Sequence, residues 1–297
     1  MSTPTLRGVY IPLVTPYAAD GSVDLEAVER LAVRALDAGV AGLVPLGTTG
    51  ESPLLEPDEK HAVVDVCTRV ARARDAHVIV GAGTNSTRAT VRAVEALAGS
   101  GATAALCVVP YYLRPSQAGI IAHFEAVATA SPVPIVLYNI PSRTGQPLEP
   151  DSLLRLANTE NIVGVKQAVG AVDVATLRVL AEAPDDFAVL GGDDPILFPL
   201  VLLGGAGAIA ASAHVCTRRY VEMIECGLAG KVDEGRTHHE ALLPVARACF
   251  AEPNPAVFKG VLAAQGLIAT PDVRAPLANA SPAAIEGALE AITAAGG

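Results

Sequence analysis

Lysine is scarce in this chain: Lys60, Lys166, Lys231 and Lys259 are the only four among 297 residues. The formal net charge is -10, and no stretch joins clustered Lys and Arg to aromatic residues, which make up 4% of the chain. That combination excludes a nucleic-acid-binding surface. It also means that an anionic small molecule has to be held by local groups. Cysteine is sparse too: Cys67, Cys107, Cys216, Cys226 and Cys249 are odd in number, widely spaced and without a CxxC pair. They read as reduced, mostly buried thiols of a cytoplasmic protein. The six histidines offer no HExxH, and the adjacent His238 and His239 are expected on a solvated helix, so no metal site is predicted. Met1 to Tyr17 lacks a basic segment followed by an apolar one, so no secretory signal is expected. The one long apolar stretch, Ile196 to Ala213, is broken by Pro199 and Gly204-Gly205-Ala206-Gly207. It reads as a helix, a turn and a strand, not as a membrane span.

Short runs rich in Val, Ile and Leu are present throughout. They predict strands at Val9 to Val14, Gly42 to Leu46, His77 to Gly81, Ala104 to Val109, Pro134 to Tyr138, Ile162 to Lys166, Phe187 to Leu190 and Gly207 to Ala211. The runs are continuously apolar, as parallel strands covered on both faces require, and longer amphipathic segments alternate with them. Eight such units predict a (β/α)8 TIM barrel, with a doubly wound sheet as the alternative. Asp24 opens a helix over Leu25 to Asp37, and Pro57-Asp58-Glu59 opens the next. From His214 onward the periodicity is helical, in Arg218 to Leu228, Val232 to Phe250, Pro255 to Gln265 and Pro282 to Ala294. The expected organisation is a barrel over residues 1–228 and a small C-terminal helical appendage over residues 229–297.

Barrel chemistry sits at the C-terminal ends of the strands. The sixth strand ends in Lys166, after Ile162-Val163-Gly164-Val165. Burial disfavours an ammonium ion, so a lysine in such a place can serve as the amine of a Schiff-base enzyme. Such a lysine can equally lay its stem along the strand and reach water. The other strand ends add to it. The second ends in Gly47-Thr48-Thr49-Gly50-Glu51, a turn whose N–H groups suit a carboxylate, although a plain Thr-capped turn reads the same. The fourth gives Pro110-Tyr111-Tyr112, a pair that can also simply pack. The fifth gives Tyr138 and, in the loop after it, Arg143, whose fork suits a carboxylate or a surface ion pair. The seventh ends in Gly191-Gly192-Asp193-Asp194, and the eighth presents Ile209. Convergence of an amine, an arginine, three tyrosines and two threonines on one barrel mouth is the expectation.

In this order the segments GTTGE, PYY, YNIPSRTG and GVK closely resemble the dihydrodipicolinate synthase / N-acetylneuraminate lyase family of class I pyruvate aldolases. The likeness extends from Gly8-Val9-Tyr10 to Glu252-Pro253-Asn254-Pro255, and Arg143 points to the synthase branch, which condenses pyruvate with L-aspartate 4-semialdehyde in the route to diaminopimelate and lysine. The resemblance implies that Lys166 forms the Schiff base and that the Thr48 and Thr49 segment holds the pyruvate carboxylate. It implies a proton relay of Tyr138, Thr48 and Tyr112, the last reaching in from a neighbouring subunit of a homodimer or a homotetramer built as a dimer of dimers. Arg143 would bind the carboxylate of the aldehyde, and carbonyls around Gly192 and Ile209 would line the pocket and tune the lysine. No metal, nicotinamide or pyridoxal cofactor is implied. The chain departs from the family at Ala211-Ser212-Ala213-His214, where His214 could cap the next helix, and at Ala89 and Lys60, which replace groups used in lysine-inhibited members. A paralogous 2-keto-3-deoxy sugar acid aldolase or dehydratase would keep the same lysine. A catalytically idle sensor of keto acids would lose the lysine or a relay hydroxyl.

Overall fold

A computed structural model describes residues 4–296. Met1, the start of the segment read for a targeting signal, lies outside them, as do the two residues after it and residue 297. Eight parallel strands close into a barrel in chain order: β1 (Gly8–Ile11), β2 (Gly42–Leu43), β3 (His77–Gly81), β4 (Ala104–Val108), β5 (Ile135–Asn139), β6 (Ile162–Gln167), β7 (Ala188–Gly191) and β8 (Gly207–Ile209). Every expected strand is present, and the doubly wound alternative is excluded by the β1–β8 pairing. The second strand is shorter than expected because Pro45 has no N–H to offer a ladder. At the seam, Gly8 pairs with Gly207 so closely that a Cβ on Gly207 would lie 2.0 Å from the Gly8 carbonyl oxygen. Only glycine permits that approach.

Helices cover the outside: α1 (Leu25–Asp37), α2 (Pro57–Arg72), α3 (Thr87–Glu95), α4 (Gln117–Ala130), α5 (Pro141–Thr144), α6 (Pro150–Ala157), α7 (Val174–Glu182), α8 (Leu197–Leu202) and α9 (Thr217–Leu228). Their starts follow the sequence signals. The Asp24 carboxylate accepts the Ala27 N–H, and α2 opens with Pro57 and a reciprocal Glu56–Glu59 capping box. Three further helices follow, α10 (Val232–Cys249), α11 (Ala256–Ala264) and α12 (Pro282–Ala294). His239, expected to be solvated, instead half-buries its ring against Phe198. Among the described residues no helix is long and apolar enough to cross a membrane.

The strands read as continuously apolar because they bury both faces, and the two faces build separate cores. Leu137 and Val165 face the helices, whereas Tyr10, Val44, Ile79, Leu106, Val136, Leu190 and Ile209 fill the barrel interior. Tyr138 shares that interior, and its register partner on β6 is Lys166. Both therefore stand at the strand-end layer of the barrel.

Candidate active site

Lys166 and Tyr138 are almost wholly buried, at 7% and 6% exposure, and the lysine Nζ lies 4.5 Å from the centre of the tyrosine ring. The next residue on each strand explains why they face each other. Asn139 and Gln167 are also register partners, and Asn139 Nδ2 donates to Gln167 Oε1 at 3.1 Å. Gln167 in turn donates to Thr176 Oγ1, and Asn139 exchanges hydrogen bonds with the backbone of Leu148. A slip of one residue would turn these buried amides inward and leave their partners unsatisfied. The sequence reading passed over both amides.

A cavity of about 460 Å³ opens in front of Lys166, lined by Thr48, Thr49, Tyr138, Arg143, Lys166, Gly192 and Ile209 among others. Seven of the eight predicted site residues thus meet in one space. An adjoining space of about 320 Å³ shares Thr48, Tyr138 and Arg143 with it and adds Tyr111. Tyr112 is the exception. It is 85% exposed, with φ at 70°, and lines neither space, so two tyrosines and not three converge within one chain.

Lys166 has no carboxylate within salt-bridge distance among the described residues. The two carboxyl groups in its cavity are turned to backbone donors: Asp193 Oδ2 accepts the Gly170 N–H at 2.7 Å, and Asp194 Oδ2 the Ser212 N–H at 2.6 Å. Burial pushes both carboxyls above their ordinary range, opposed by those hydrogen bonds and by the charge of Lys166. Gly192 packs on the lysine stem, where a Cβ would meet Lys166 Cε at 2.8 Å.

The GTTGE turn is built from two consecutive turns, with Gly50 N–H donating to Gly47 O and Glu51 N–H to Thr48 O, both at 3.1 Å. Among the described residues the N–H groups of Thr48 and Thr49 have no protein acceptor, which leaves two adjacent donors at the cavity wall. The Thr49 hydroxyl accepts from Asn254 Nδ2 at 3.0 Å, so it is oriented by the segment before α11. Glu51, at a left-handed φ of 55°, turns its side chain inward to Lys259 Nζ at 2.8 Å and accepts the Arg274 N–H at 2.8 Å through its other oxygen. Lys259 also donates to Thr15 O at 2.8 Å and lies 3.8 Å above the Tyr17 ring. Burial lowers the Lys259 pKa from its ordinary value, and Glu51 opposes that shift. Asn254, Lys259 and Glu51 escaped the sequence reading as functional supports, because their partners lie far away along the chain.

Arg143 sits on the single helical turn α5, where a loop was expected, and Gly145 ends that turn at φ 72°. Its guanidinium has no carboxylate within salt-bridge distance among the described residues, so the surface ion pair weighed for it does not form. His214 does not cap α9. Its Nε2 accepts the Val14 N–H at 3.2 Å and its Nδ1 faces Ala211 O at 2.8 Å, which ties the segment after β1 to the segment after β8.

Residues 5–295 match the dihydrodipicolinate synthetase family. A protein of Moorella thermoacetica named 4-hydroxy-tetrahydrodipicolinate synthase is 44% identical over 269 residues, 91% of each chain. One of the same name from Synechocystis is 40% identical over 283 residues, covering 95% of this chain and 93% of its own. The crystal structure of dihydrodipicolinate synthase from Thermotoga maritima superposes with a TM-score of 0.95 at 35% identity, over 99% of both chains. Sequence and fold agree, and the chain belongs to the dihydrodipicolinate synthetase family.

Proposed function

We propose that this chain is a carbon–carbon condensing lyase that joins pyruvate to L-aspartate 4-semialdehyde through a Schiff base on Lys166, giving 4-hydroxy-tetrahydrodipicolinate. The observation that carries this reading is a buried lysine, free of any carboxylate partner, facing a cavity beside a tyrosine. The proteins it resembles at about 40% identity bear the name of that synthase.

In this reading the Lys166 amine adds to the pyruvate carbonyl, and loss of water leaves an iminium. That electron sink lets a methyl proton depart, and the resulting enamine carbon forms the new bond to the aldehyde carbon. The aldehyde oxygen takes up a proton as a hydroxyl. The substrate's own amine then attacks the imine carbon and expels the lysine, which closes the ring. Tyr138, whose ring centre lies 4.5 Å from the amine, serves as a proton carrier, and Thr48 lines the same cavity. The free N–H groups of Thr48 and Thr49 suit the pyruvate carboxylate, and Arg143 suits that of the aldehyde. Carbonyls around Gly192 and Ile209 would tune the amine.

Tyr112 fits a role in trans. It lines neither space of its own chain and is largely exposed, as a residue completing a neighbour's site in a dimer, or a dimer of dimers, would be. We divide the chain accordingly into a barrel over residues 1–228 and a helical wall over residues 229–297, acting in the cytoplasm on small molecules.

Borohydride reduction in the presence of pyruvate tests the core of the proposal. A pyruvate-derived mass on Lys166, absent in Lys166→Ala, is expected. No adduct in the wild type would overturn the aldolase chemistry. An adduct with turnover of 2-keto-3-deoxy sugar acids, but none of aspartate semialdehyde, would overturn the second substrate alone.

A further inference from the structure

The cavity in front of Lys166 has a wall that the barrel does not supply. Helix α10 contributes Ala246 and Arg247 to it, and Phe250, the residue that caps the helix, lines it as well; Arg143 on the α5 turn lines the same cavity. Arg247 has no carboxylate within salt-bridge distance among the described residues, and it reaches the cavity from an exposed position in the last turn of its helix. A cation there also complements the helix dipole. That role alone would be served at any exposed position of the turn, whereas this one is at the mouth.

We propose that Arg247 is a second carboxylate-recognition residue of this site, drawing substrate carboxylates past the acidic surface and holding the adduct that carries two of them; this rests on the aldolase reading above. Three arguments carry it. The molecule has a net charge of -10, so an approaching anion such as pyruvate is repelled on average. At physiological salt that repulsion is screened over about 8 Å, so cations at the rim decide the last part of the approach. Within the cavity, Asp193 and Asp194 each turn one oxygen to a backbone N–H, and among the described residues neither lies within salt-bridge distance of Arg143 or Arg247, so neither is placed to cancel a guanidinium. Pyruvate and the aldehyde each bring one carboxylate. The bond between them places two carboxylates on one adduct, and Arg143 and Arg247, which both line the cavity, provide a fork for each.

The test compares wild type, Arg247→Met and Arg247→Lys with pyruvate and aspartate semialdehyde at rising NaCl. At low salt Arg247→Met is expected to lower kcat/KM for the aldehyde about tenfold, chiefly through KM. The deficit should shrink toward twofold at 0.5 M NaCl, and Arg247→Lys should keep most of the wild-type value. Borohydride trapping at saturating pyruvate should stay within twofold in all three. Unchanged kcat/KM in Arg247→Met overturns the proposal. So does a deficit that salt does not alter, or a loss of trapping, because either marks a structural role. Failure of the underlying reading shows in the wild type alone, as no pyruvate adduct or no consumption of aspartate semialdehyde.

Discussion

Lys259 and Glu51 form an ion pair at 2.8 Å with both side chains wholly removed from solvent, although 208 residues separate them in the chain. The pair joins α11 to the turn that presents Thr48 and Thr49. Lys166 is the contrasting case. Both lysines sit in apolar runs, but Lys259 is paired and hydrogen-bonded, whereas Lys166 faces a cavity and among the described residues has no carboxylate within salt-bridge distance.

Lys259→Met should destabilise the fold by about 3–5 kcal/mol, because it leaves the Glu51 carboxylate buried and uncompensated. Lys259→Met combined with Glu51→Gln removes that charge while keeping an acceptor for the Arg274 N–H, so the double variant should be the more stable of the two. Urea unfolding midpoints at pH 7 decide the order. A double variant no better than the single one would show that the pair's charge is not what matters.

Gly192→Ala should abolish or severely slow imine formation without unfolding the protein. The new methyl would press on Lys166 Cε and on Ala168 Cβ, both at 2.8 Å, and the flexible lysine stem is the side that yields. Trapping with pyruvate should fall at least tenfold while the unfolding midpoint moves little. Normal trapping would mean that the stem has room to spare.

His214 gives a stability that depends on pH. Burial holds its pKa at about 4, below the ordinary 6.5, and its Nε2 must stay unprotonated to accept the Val14 N–H. The unfolded chain therefore takes up a proton that the folded one refuses. The contribution is complete above pH 6.5 and is lost as pH falls toward 4, by at most about 1.4 kcal/mol per unit. His123, also held at about 4, acts in the same direction. The stability advantage of wild type over His214→Asn should narrow steadily across that window. A constant difference in urea midpoints would show that His214 does not titrate there.

Tyr112→Phe and Lys166→Ala, each inactive alone, should recover activity when mixed under conditions of subunit exchange, if Tyr112 completes a neighbour's site. Demonstrated exchange without recovery would assign Tyr112 to its own subunit or to none.

L-lysine should inhibit weakly or not at all. Ala89, on α3, offers no carboxylate to an ammonium group, and a lost charge-assisted hydrogen bond costs roughly 1.5–3 kcal/mol, or about one to two decades of affinity. Half-inhibition below about 1 mM, roughly -4 kcal/mol of binding, would reveal another acidic group in its place.

Much of the architecture was legible because it is written locally. Apolar runs mark strands buried on both faces, Asp24 and Pro57 mark helix starts, and Lys166 ends its run at the layer where barrels keep their chemistry. The supports were not legible. Asn254 orients Thr49 and Lys259 holds Glu51 across more than two hundred residues, and neither contact leaves a local signature. The apolar run Ala256-Val257-Phe258 before Lys259 looks much like the run before Lys166. Only the three-dimensional position of a carboxylate tells the two apart. Tyr112 was legible as an aromatic at a strand end, but among the described residues it stays 85% exposed and lines neither space at the barrel mouth.

The glycine seam between β1 and β8 sets a timetable for a chain being made on a ribosome. The first strand leaves early with one edge open, and the strand that covers it is synthesised roughly two hundred residues later. Even then the turn bearing Thr48 and Thr49 waits for Lys259, some fifty residues further on, before Glu51 has its counter-ion. The nascent protein is therefore a nearly complete cylinder before it can have a finished substrate site, and a protease or a holding chaperone has that whole interval in which to act.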